Sequence, residues 1–408
     1  MIKSENIPSG WQSKNLSYLI KSMDAGISVN SEDRRAEKGE YGVLKTSAVT
    51  SGFFNSEENK AIVVSEIKRA KVSPIKDRII ISRMNTPALV GANAYVPETR
   101  KDLFLPDRLW QLEPKSDHVN MRWLSFVLGS PKYRLKLSSI ATGTSNSMKN
   151  ITKEDVMRLQ ILLPPLHEQK SIADLLSIWD DAIEKTQKLI RYKEKKTKRQ
   201  IQKIISQRCG SWAHVKPQKI FDTITEKDYP NEELLSVTQD RGVIPRSKLE
   251  GRVMSPDGTT SSYKLIKPGD FAISLRSFQG GIEYSNYQGI ISPAYTVLRP
   301  KIELVDDFYR LFFKSYIFIE KYLNLSVIGI RDGKQISIPD FLNIPIPLPP
   351  LNEQNEIAET LILAQHEINL LRQLREKYKT QKRGLMQKML TGQWRIKSEH
   401  HNKYAEVL

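Results

Sequence analysis

The sequence predicts an α+β chain in which two mixed α/β domains are separated and joined by two long helices. Those helices should pair as an antiparallel coiled coil, giving a pseudo-two-fold internal repeat. Three observations predict this. First, Leu163-Pro164-Pro165-Leu166-His167-Glu168-Gln169 returns as Leu348-Pro349-Pro350-Leu351-Asn352-Glu353-Gln354. The copies stay in register without a gap through Ile172/Ile357, Ala173/Ala358, Leu176/Leu361, Ile183/Ile368, Leu189/Leu374, Gln202/Gln387 and Lys203/Lys388. Upstream the match runs through Lys149/Lys334, Ile151/Ile336 and Asp155/Asp340, so one supersecondary unit is used twice. Second, each copy opens a long helical pattern. Third, short β-branched runs bounded by turn signals precede each copy.

In chain order, residues 1–160 read as a first mixed domain. Ile62-Val63-Val64 and Ile79-Ile80-Ile81 are of strand type, Ser51-Gly52 and Ser73-Pro74 mark turns, and Met121–Leu128 is a short helix with an apolar face. The polar loop Thr142–Asn150 offers hydroxyls and backbone N–H groups of the kind phosphates accept, and it reads equally as a surface connection. Ile161-Leu162-Leu163-Pro164-Pro165 is an extended arrival, and residues 161–206 form the first long helix with its lead-in. Its apolar positions Ile172, Leu176, Trp179, Ile183, Thr186 and Ile190 step by four and three, then resume at Ile201 and Ile204. Residues 347–392 repeat this with Ile357, Leu361, Ala364, Ile368, Leu371, Leu374, Tyr378, Leu385 and Met389. Each pattern would make a helix about 57 Å long, and a stripe so narrow must be covered by a partner helix. The other copy supplies it, antiparallel because a globular domain lies between. Residues 207–346 form the second domain, with strand-like Leu234–Val237, Phe271–Leu275 and Tyr295–Leu298 and an aromatic-rich helix over Phe308–Leu323. Residues 393–408 read as a polar tail.

Composition narrows the function. The 408 residues carry 63 Lys and Arg against 46 Asp and Glu, a net charge of +17, with a pI near 9.6. Such an excess favours a polyanionic partner, most commonly nucleic acid. Both long helices carry basic runs, from Lys185 to Lys203 and from Arg372 to Lys388, which also read as solvated faces. The single Cys209 excludes an internal disulfide and a cysteine-based zinc site, the polar start shows no signal peptide, and no apolar run approaches membrane-spanning length. A cytoplasmic protein without membrane contact is expected.

No catalytic constellation emerges. There is no phosphate-binding G-x-x-x-x-G-K-[ST] loop, no dinucleotide fingerprint, and His167-Glu168 lacks the second histidine of a zinc protease site. Ser292-Pro293-Ala294-Tyr295 misses the second proline of the amino-methyltransferase tetrapeptide. Pro106-Asp107 followed by Glu113-Pro114-Lys115 imitates a nuclease core, but Leu109–Leu112 reads as one continuous strand with no turn to join the carboxylates on a metal.

The doubled L-P-P-L-x-E-Q lead-in resembles the specificity (S) subunits of type I restriction-modification enzymes, over nearly the whole chain. Arg78–Pro87 and Lys267–Arg276 also resemble the Gly-Asp-[Ile/Leu/Phe]…Ser strands of that family's recognition domains, although the first lacks the Gly-Asp pair. The resemblance implies target recognition domains at 1–160 and 207–346, each reading half of a split duplex target in the major groove. The helices would serve as spacers that dock two methyltransferase (M) subunits, and motor-nuclease (R) subunits would complete the complex. No cofactor is expected on this chain: S-adenosylmethionine, ATP and magnesium would belong to the partners. From preferred side-chain–base pairings, base-reading candidates are Lys45, Thr46, Ser47, Arg83, Asn85 and Thr86 in the first domain. In the second they are Thr238, Gln239, Arg241, Arg246, Arg276 and Ser277. Phosphate-contact candidates are Thr144, Ser145, Asn146, Arg331 and Lys334. Tyr284, Tyr287 and Tyr295 could stack on DNA, with core packing the plainer reading. Two other classes compete: a coiled-coil scaffold with incidental charge, and a self-contained DNA-modifying enzyme, which the missing motifs disfavour.

Overall fold

The computed structural model describes residues 7–143, 148–239, 241–249, 260–274, 282–329 and 335–396. The chain divides into two compact units, Met1–Lys185 with Arg375–Leu408, and Thr186–Leu374. Each long helix, Leu166–Arg208 and Leu351–Met389, contributes to both.

In the first unit, Gln12–Asn15 pairs antiparallel with Gln160–Leu163, so the arrival at Pro164-Pro165 is half of a two-stranded ladder. The main sheet has four antiparallel strands in the order Ile20–Ala25, Leu109–Pro114, Arg78–Ser82, Asn93–Val96. Successive strand side chains point to opposite faces. Ile79 and Ile81 therefore join Leu112, Trp123 and Leu128 under the helix Met121–Gly129, whereas Ile80 joins Leu44, Ala48, Val49 and Leu105 in a second core. A strand buried on both faces has no polar alternation, which is why the sequence shows an unbroken β-branched run.

The second unit repeats this plan. Ala213–Val215 pairs with Ile346–Leu348, and four antiparallel strands follow in the order Phe221–Ile224, Tyr295–Pro300, Phe271–Ser274, Ile282–Tyr284. Phe271 and Ile273 enter an aromatic core with Phe308, Phe312, Phe313 and Phe318, while Ala272 enters a second core with Leu235, Val243 and Ile266. Rings there meet mostly edge to face, as Phe271 and Phe313 do at 5.3 Å and 85°.

The missing Gly-Asp pair has a structural explanation. Phe271 stands opposite Leu298 as Ile79 stands opposite Leu112. Just before Phe271, Gly269 takes φ +93 and the buried Asp270 carboxylate receives two hydrogen bonds, both 2.8 Å, from Arg299. At the matching places in the first unit, Asp77 takes φ +59 and Arg78 pairs with Glu113 at 3.2 Å. The left-handed residue and the cross-strand ion pair are both kept, with the charges exchanged. Aspartate is one of the few non-glycine residues that tolerate that backbone region.

The repeated Glu-Gln of the lead-in ties each long helix to its own domain. Gln169 donates to the Pro164 carbonyl at 2.9 Å and accepts from the N–H of Asn120, the cap of helix Met121–Gly129. Gln354 donates to the Pro349 carbonyl at 2.8 Å and accepts from the N–H of Val305, which precedes helix Asp306–Phe312. Glu168 accepts from the Trp11 indole at 2.7 Å and pairs with Arg395 at 2.8 Å. Glu353 accepts from the Trp212 indole at 3.0 Å and faces Arg208 at 3.5 Å.

Within each unit the helices pair antiparallel. In the first, Trp179 meets Tyr378 edge-on at 5.8 Å and Asp180 pairs with Lys382. In the second, Lys193 pairs with Glu367 at 2.7 Å, Glu194 with Arg372 at 2.6 Å and Arg208 with Glu356 at 3.4 Å. The seam residues Ile172, Leu176, Ile183, Thr186 and Ile190 are buried as expected. Further on, Ile205 is buried while Ile201 and Ile204 only flank it, because a straight helix drifts against a 3.5-residue repeat. Leu374 is 38% exposed.

Three local expectations need correction. The strand near Ile62-Val63-Val64 is Asn59–Ala61; the chain then turns into a 3-10 helix, Val64–Arg69, and Val64 is exposed. The helix expected over Phe308–Leu323 is two helices, Asp306–Phe312 and Tyr316–Lys321, because the Ser315 hydroxyl caps a new start by accepting from the Phe318 N–H. The first unit breaks at the matching place, where Pro131 opens helix Pro131–Ser139. Arg395, read as part of a loose tail, is pinned to Glu168 and to the Ser9 carbonyl.

The Asp180–Lys382 pair gives a stability test. Both side chains are largely buried (11% and 14% exposed), and the ammonium also lies over the Phe126 ring at 4.8 Å. Burial, the dominant influence, raises the Asp180 carboxyl above its ordinary range, and Lys382 opposes that shift. Lys382→Met should cost about 3 kcal/mol by leaving the carboxylate without its counter-ion, and adding Asp180→Asn should recover most of it. A folded-state pKa above the unfolded one favours the folded form at low pH and costs stability as pH rises through it. The K382M deficit should therefore shrink on acidification, read by thermal unfolding against the unaltered chain.

Candidate nucleic-acid interface

In the first unit the central strand Arg78–Ser82 delivers Arg83 to its end. The chain continues as Met84–Asn85, paired antiparallel with Lys149–Asn150. Arg83 is half-buried, with its guanidinium 5.8 Å from the centre of the Trp110 ring, and the Lys153 ammonium lies 5.9 Å from the same ring. Asn85 donates to the Ser82 hydroxyl at 3.4 Å and accepts from the Thr86 N–H at 2.8 Å, leaving the Thr86 side chain exposed. The Thr142–Asn150 bridge and the bond from Lys149 Nζ to the Gly143 carbonyl, 2.8 Å, close the polar loop at its ends. Its ends thus lie beside Asn85; Thr144, Ser145 and Asn146 themselves lie outside the described residues.

Lys45, Thr46 and Ser47 sit elsewhere in that unit. Lys45 is exposed ahead of the 3-10 helix Thr46–Val49, and the Ser47 hydroxyl donates to Glu58 at 2.7 Å. This turn and the strand leading to Arg83 share a core through Ala48, Val49 and Ile80. The two groups are thus carried by one packed body, on separate elements.

In the second unit a hairpin, Leu235–Thr238 with Gly242–Pro245, presents Thr238, Gln239 and Arg241 at its tip. The Thr238 hydroxyl donates to the Gly242 carbonyl at 2.8 Å and accepts from the Arg241 N–H at 3.1 Å. Arg241 and Gln239 are exposed. Arg246 stands at the far end of the hairpin, in the turn Arg246–Lys248, and is half-buried. Arg276, Ser277, Arg331 and Lys334 lie outside the described residues; the pairing of Val327–Ile328 with Gln335–Ile336 brings together the flanks of the segment holding the last two.

The tyrosines take structural places. Tyr284 packs on Phe271 at 5.2 Å and donates to Asp306 at 2.8 Å, with burial and that carboxylate raising its phenol pKa. Tyr295 packs against the second core, and Tyr287 accepts from Lys248 at 2.9 Å. The nuclease imitation dissolves as expected: Leu109–Pro114 is one strand, Asp107 accepts from Ser28 at 2.6 Å, and Glu113 is shared by Arg78 and Lys21. Among the described residues no group of three His, Cys, Asp or Glu side chains is placed to hold a metal.

The structure adds cations that sequence reading missed. Lys153 shares Trp110 with Arg83, Lys136 lies 5.1 Å from the centre of the Tyr133 ring, and Lys248 lies 4.7 Å from that of Tyr287. Burial lowers the Lys136 pKa, with Lys132 adding to the shift, and burial and then Lys227 do the same for Lys264. None of these four lysines has a carboxylate within ion-pair distance among the described residues; Lys248 donates to the Tyr287 hydroxyl at 2.9 Å and Lys264 to the Tyr295 carbonyl at 2.6 Å. Lys153 stands 43 positions from Trp110 and Lys248 39 from Tyr287, so no local signal marks those two, whereas Lys136 follows Tyr133 by three.

Comparisons with known proteins identify the family. The family described as Type I restriction modification DNA specificity domain matches residues 8–191 and 212–379. Among similar proteins, the putative type I restriction enzyme MjaX specificity subunit of Methanocaldococcus jannaschii is 26% identical, over 96% of this chain and 95% of its own length. The MjaVIII specificity subunit of the same organism shows the same identity and coverage. A crystal structure of the type I S subunit from M. genitalium shares the fold at TM-score 0.54 and 15% identity, over 95% of this chain and 98% of that one. A second solved structure, from work on complex assembly and conformational transition of the type I R-M system, aligns at TM-score 0.57 and 18% identity, over 94% of this chain and 98% of that one. A family match to two stretches that together cover most of the chain, on a twice-built fold, settles membership: the chain belongs to the type I restriction-modification specificity family, as a non-catalytic subunit for DNA sequence recognition.

Proposed function

We propose that this chain reads a bipartite, asymmetric duplex target, with residues 1–160 and 207–346 each reading one half. The observation that supports this most is the repeat itself: the same sheet order and the same helix anchors recur, while the surfaces carried on them differ. In the first unit a cation over a tryptophan and a short paired ribbon follow the central strand; in the second a hairpin lies beside the start of its central strand, with Val243 bridging Ser285. A shared frame with unlike readers suits two unlike half-sites, and their separation becomes a matter of geometry. The segments 161–206 and 347–392 would set that spacing and dock two methyltransferase subunits, with motor-nuclease subunits joining the complex. S-adenosylmethionine, ATP and magnesium would be the partners' reagents. Among the described residues no helix is long and apolar enough to cross a membrane.

The described base-reading candidates in this proposal are Arg83, Asn85, Thr86 and Lys45–Ser47 in one domain, and Thr238, Gln239, Arg241 and Arg246 in the other. Lys136, Lys153, Lys248 and Lys264 are proposed to meet phosphates, which position the duplex and make binding salt-dependent without specifying bases.

Adenine-methylation mapping tests the proposal, using cells carrying this chain with its methyltransferase partner and an unmodified host as control. A single split motif, two short defined parts around an unspecified spacer, is expected, and exchanging residues 1–160 for those of a relative should change one half only. No new motif from an assembled complex would favour a scaffold role instead. In the assembled complex, Lys248→Ala should weaken binding to all sequences alike and lower the salt dependence by about one counter-ion, whereas Arg241→Ala should relax the second half alone.

A further inference from the structure

We propose that Lys314 is a positioning residue for the second recognition element, an inference that rests on the second domain reading its own half of the target. The hairpin tip fixes its own shape through Thr238, but those bonds do not fix where it points. Its direction is set from beneath. Val243 bridges Ser285, and Gly242, at φ +72, lies so close to strand Ile282–Tyr284 that an added Cβ would come 2.7 Å from the Tyr284 carbonyl oxygen. Beside that contact, Lys314 Nζ donates to the Gln239 carbonyl at 3.2 Å and pairs with Glu283.

Glu283 is 6% exposed at its side chain and sits on the sheet opposite Ala272. Lys314 itself stands in the short link between helices Asp306–Phe312 and Tyr316–Lys321, between fully buried Phe313 and the capping Ser315. One ammonium therefore connects the aromatic core, the sheet and the tip that carries Gln239 and Arg241. A lysine alone would lose much rotamer entropy in holding a tip; a buried carboxylate holds this one in place. Base reading by paired hydrogen bonds demands that the reader be held to about half an ångström.

The repeat separates frame from reader. At the offset that aligns Glu168 with Glu353, Ser315 falls on Ser130, and Lys314 falls on Gly129. Ser130 and Ser315 both precede a helix and are both buried, so they belong to the frame. Gly129 has no side chain to reach any tip. The lysine is thus specific to the second domain, as a residue tuned to one reader should be.

The test maps methylation in cells carrying the partnered complex with the unaltered chain, with K314M/E283Q and with K314R. The double substitution removes the buried carboxylate together with its counter-ion, which preserves the fold. Methylation at sites mismatched in the second half should rise about tenfold in K314M/E283Q, the first half should stay as sharp as before, and K314R should restore most of the discrimination. An unchanged second half in the double variant would overturn the role. So would equal blurring of both halves or loss of all methylation, which a general loss of stability produces. If the unaltered chain yields no split motif, the recognition reading itself fails, and the role of Lys314 with it.

Discussion

A Glu-Gln pair at the start of each long helix, with both glutamines and Glu168 buried and Glu353 half-buried, holds the rest of the structure together. A helix begins with backbone N–H groups that lack partners, and the prolines before it offer carbonyls but no N–H. Gln169 and Gln354 use both facts, donating to a proline carbonyl and accepting from the N–H at the start of a domain helix. Glu168 and Glu353 each take up a tryptophan indole from the strand region beside the lead-in. An unmatched buried indole N–H costs about 1–3 kcal/mol. Each long helix is thereby locked to the domain that precedes it in sequence, twice, by the same chemistry.

On that frame the two domains diverge without losing their plan. The ion pair beside the central strand shows how. Asp270–Arg299 in one unit corresponds to Arg78–Glu113 in the other, with the charges on exchanged strands and a left-handed residue just before each strand. What the fold requires is a complementary pair and a backbone reversal, not particular residues. On the proposed reading, this division of frame from reader lets the frame stay constant while the readers follow the target.

Much of this was legible in the sequence, because repeats and long periodic helices are carried by many residues at once. The lead-in motif, both long helices, the strand at Ile79–Ile81 and the continuous strand over Leu109–Leu112 were read correctly from residue pattern and spacing. Short features were harder. The Ser315 cap splits a helix through one hydroxyl, and the strand at Asn59–Ala61 is set by its pairing with Gly42–Leu44 rather than by the apolar run after it. The candidate interface was only partly legible. The hairpin tip gathers Thr238, Gln239 and Arg241 because they are close in sequence, whereas Lys153 reaches Trp110, and Lys314 reaches Gln239, only through tertiary packing.

The central claim is that two independent readers share one frame. Hydrogen exchange on the assembled complex tests it most directly, comparing duplexes with both half-sites intact and with either half scrambled. Scrambling one half should release protection only around the hairpin Leu235–Pro245, and scrambling the other only around Arg83–Thr86, while the anchors at Gln169 and Gln354 stay protected throughout. Protection that rises and falls together in both domains, or that ignores sequence, would contradict the account.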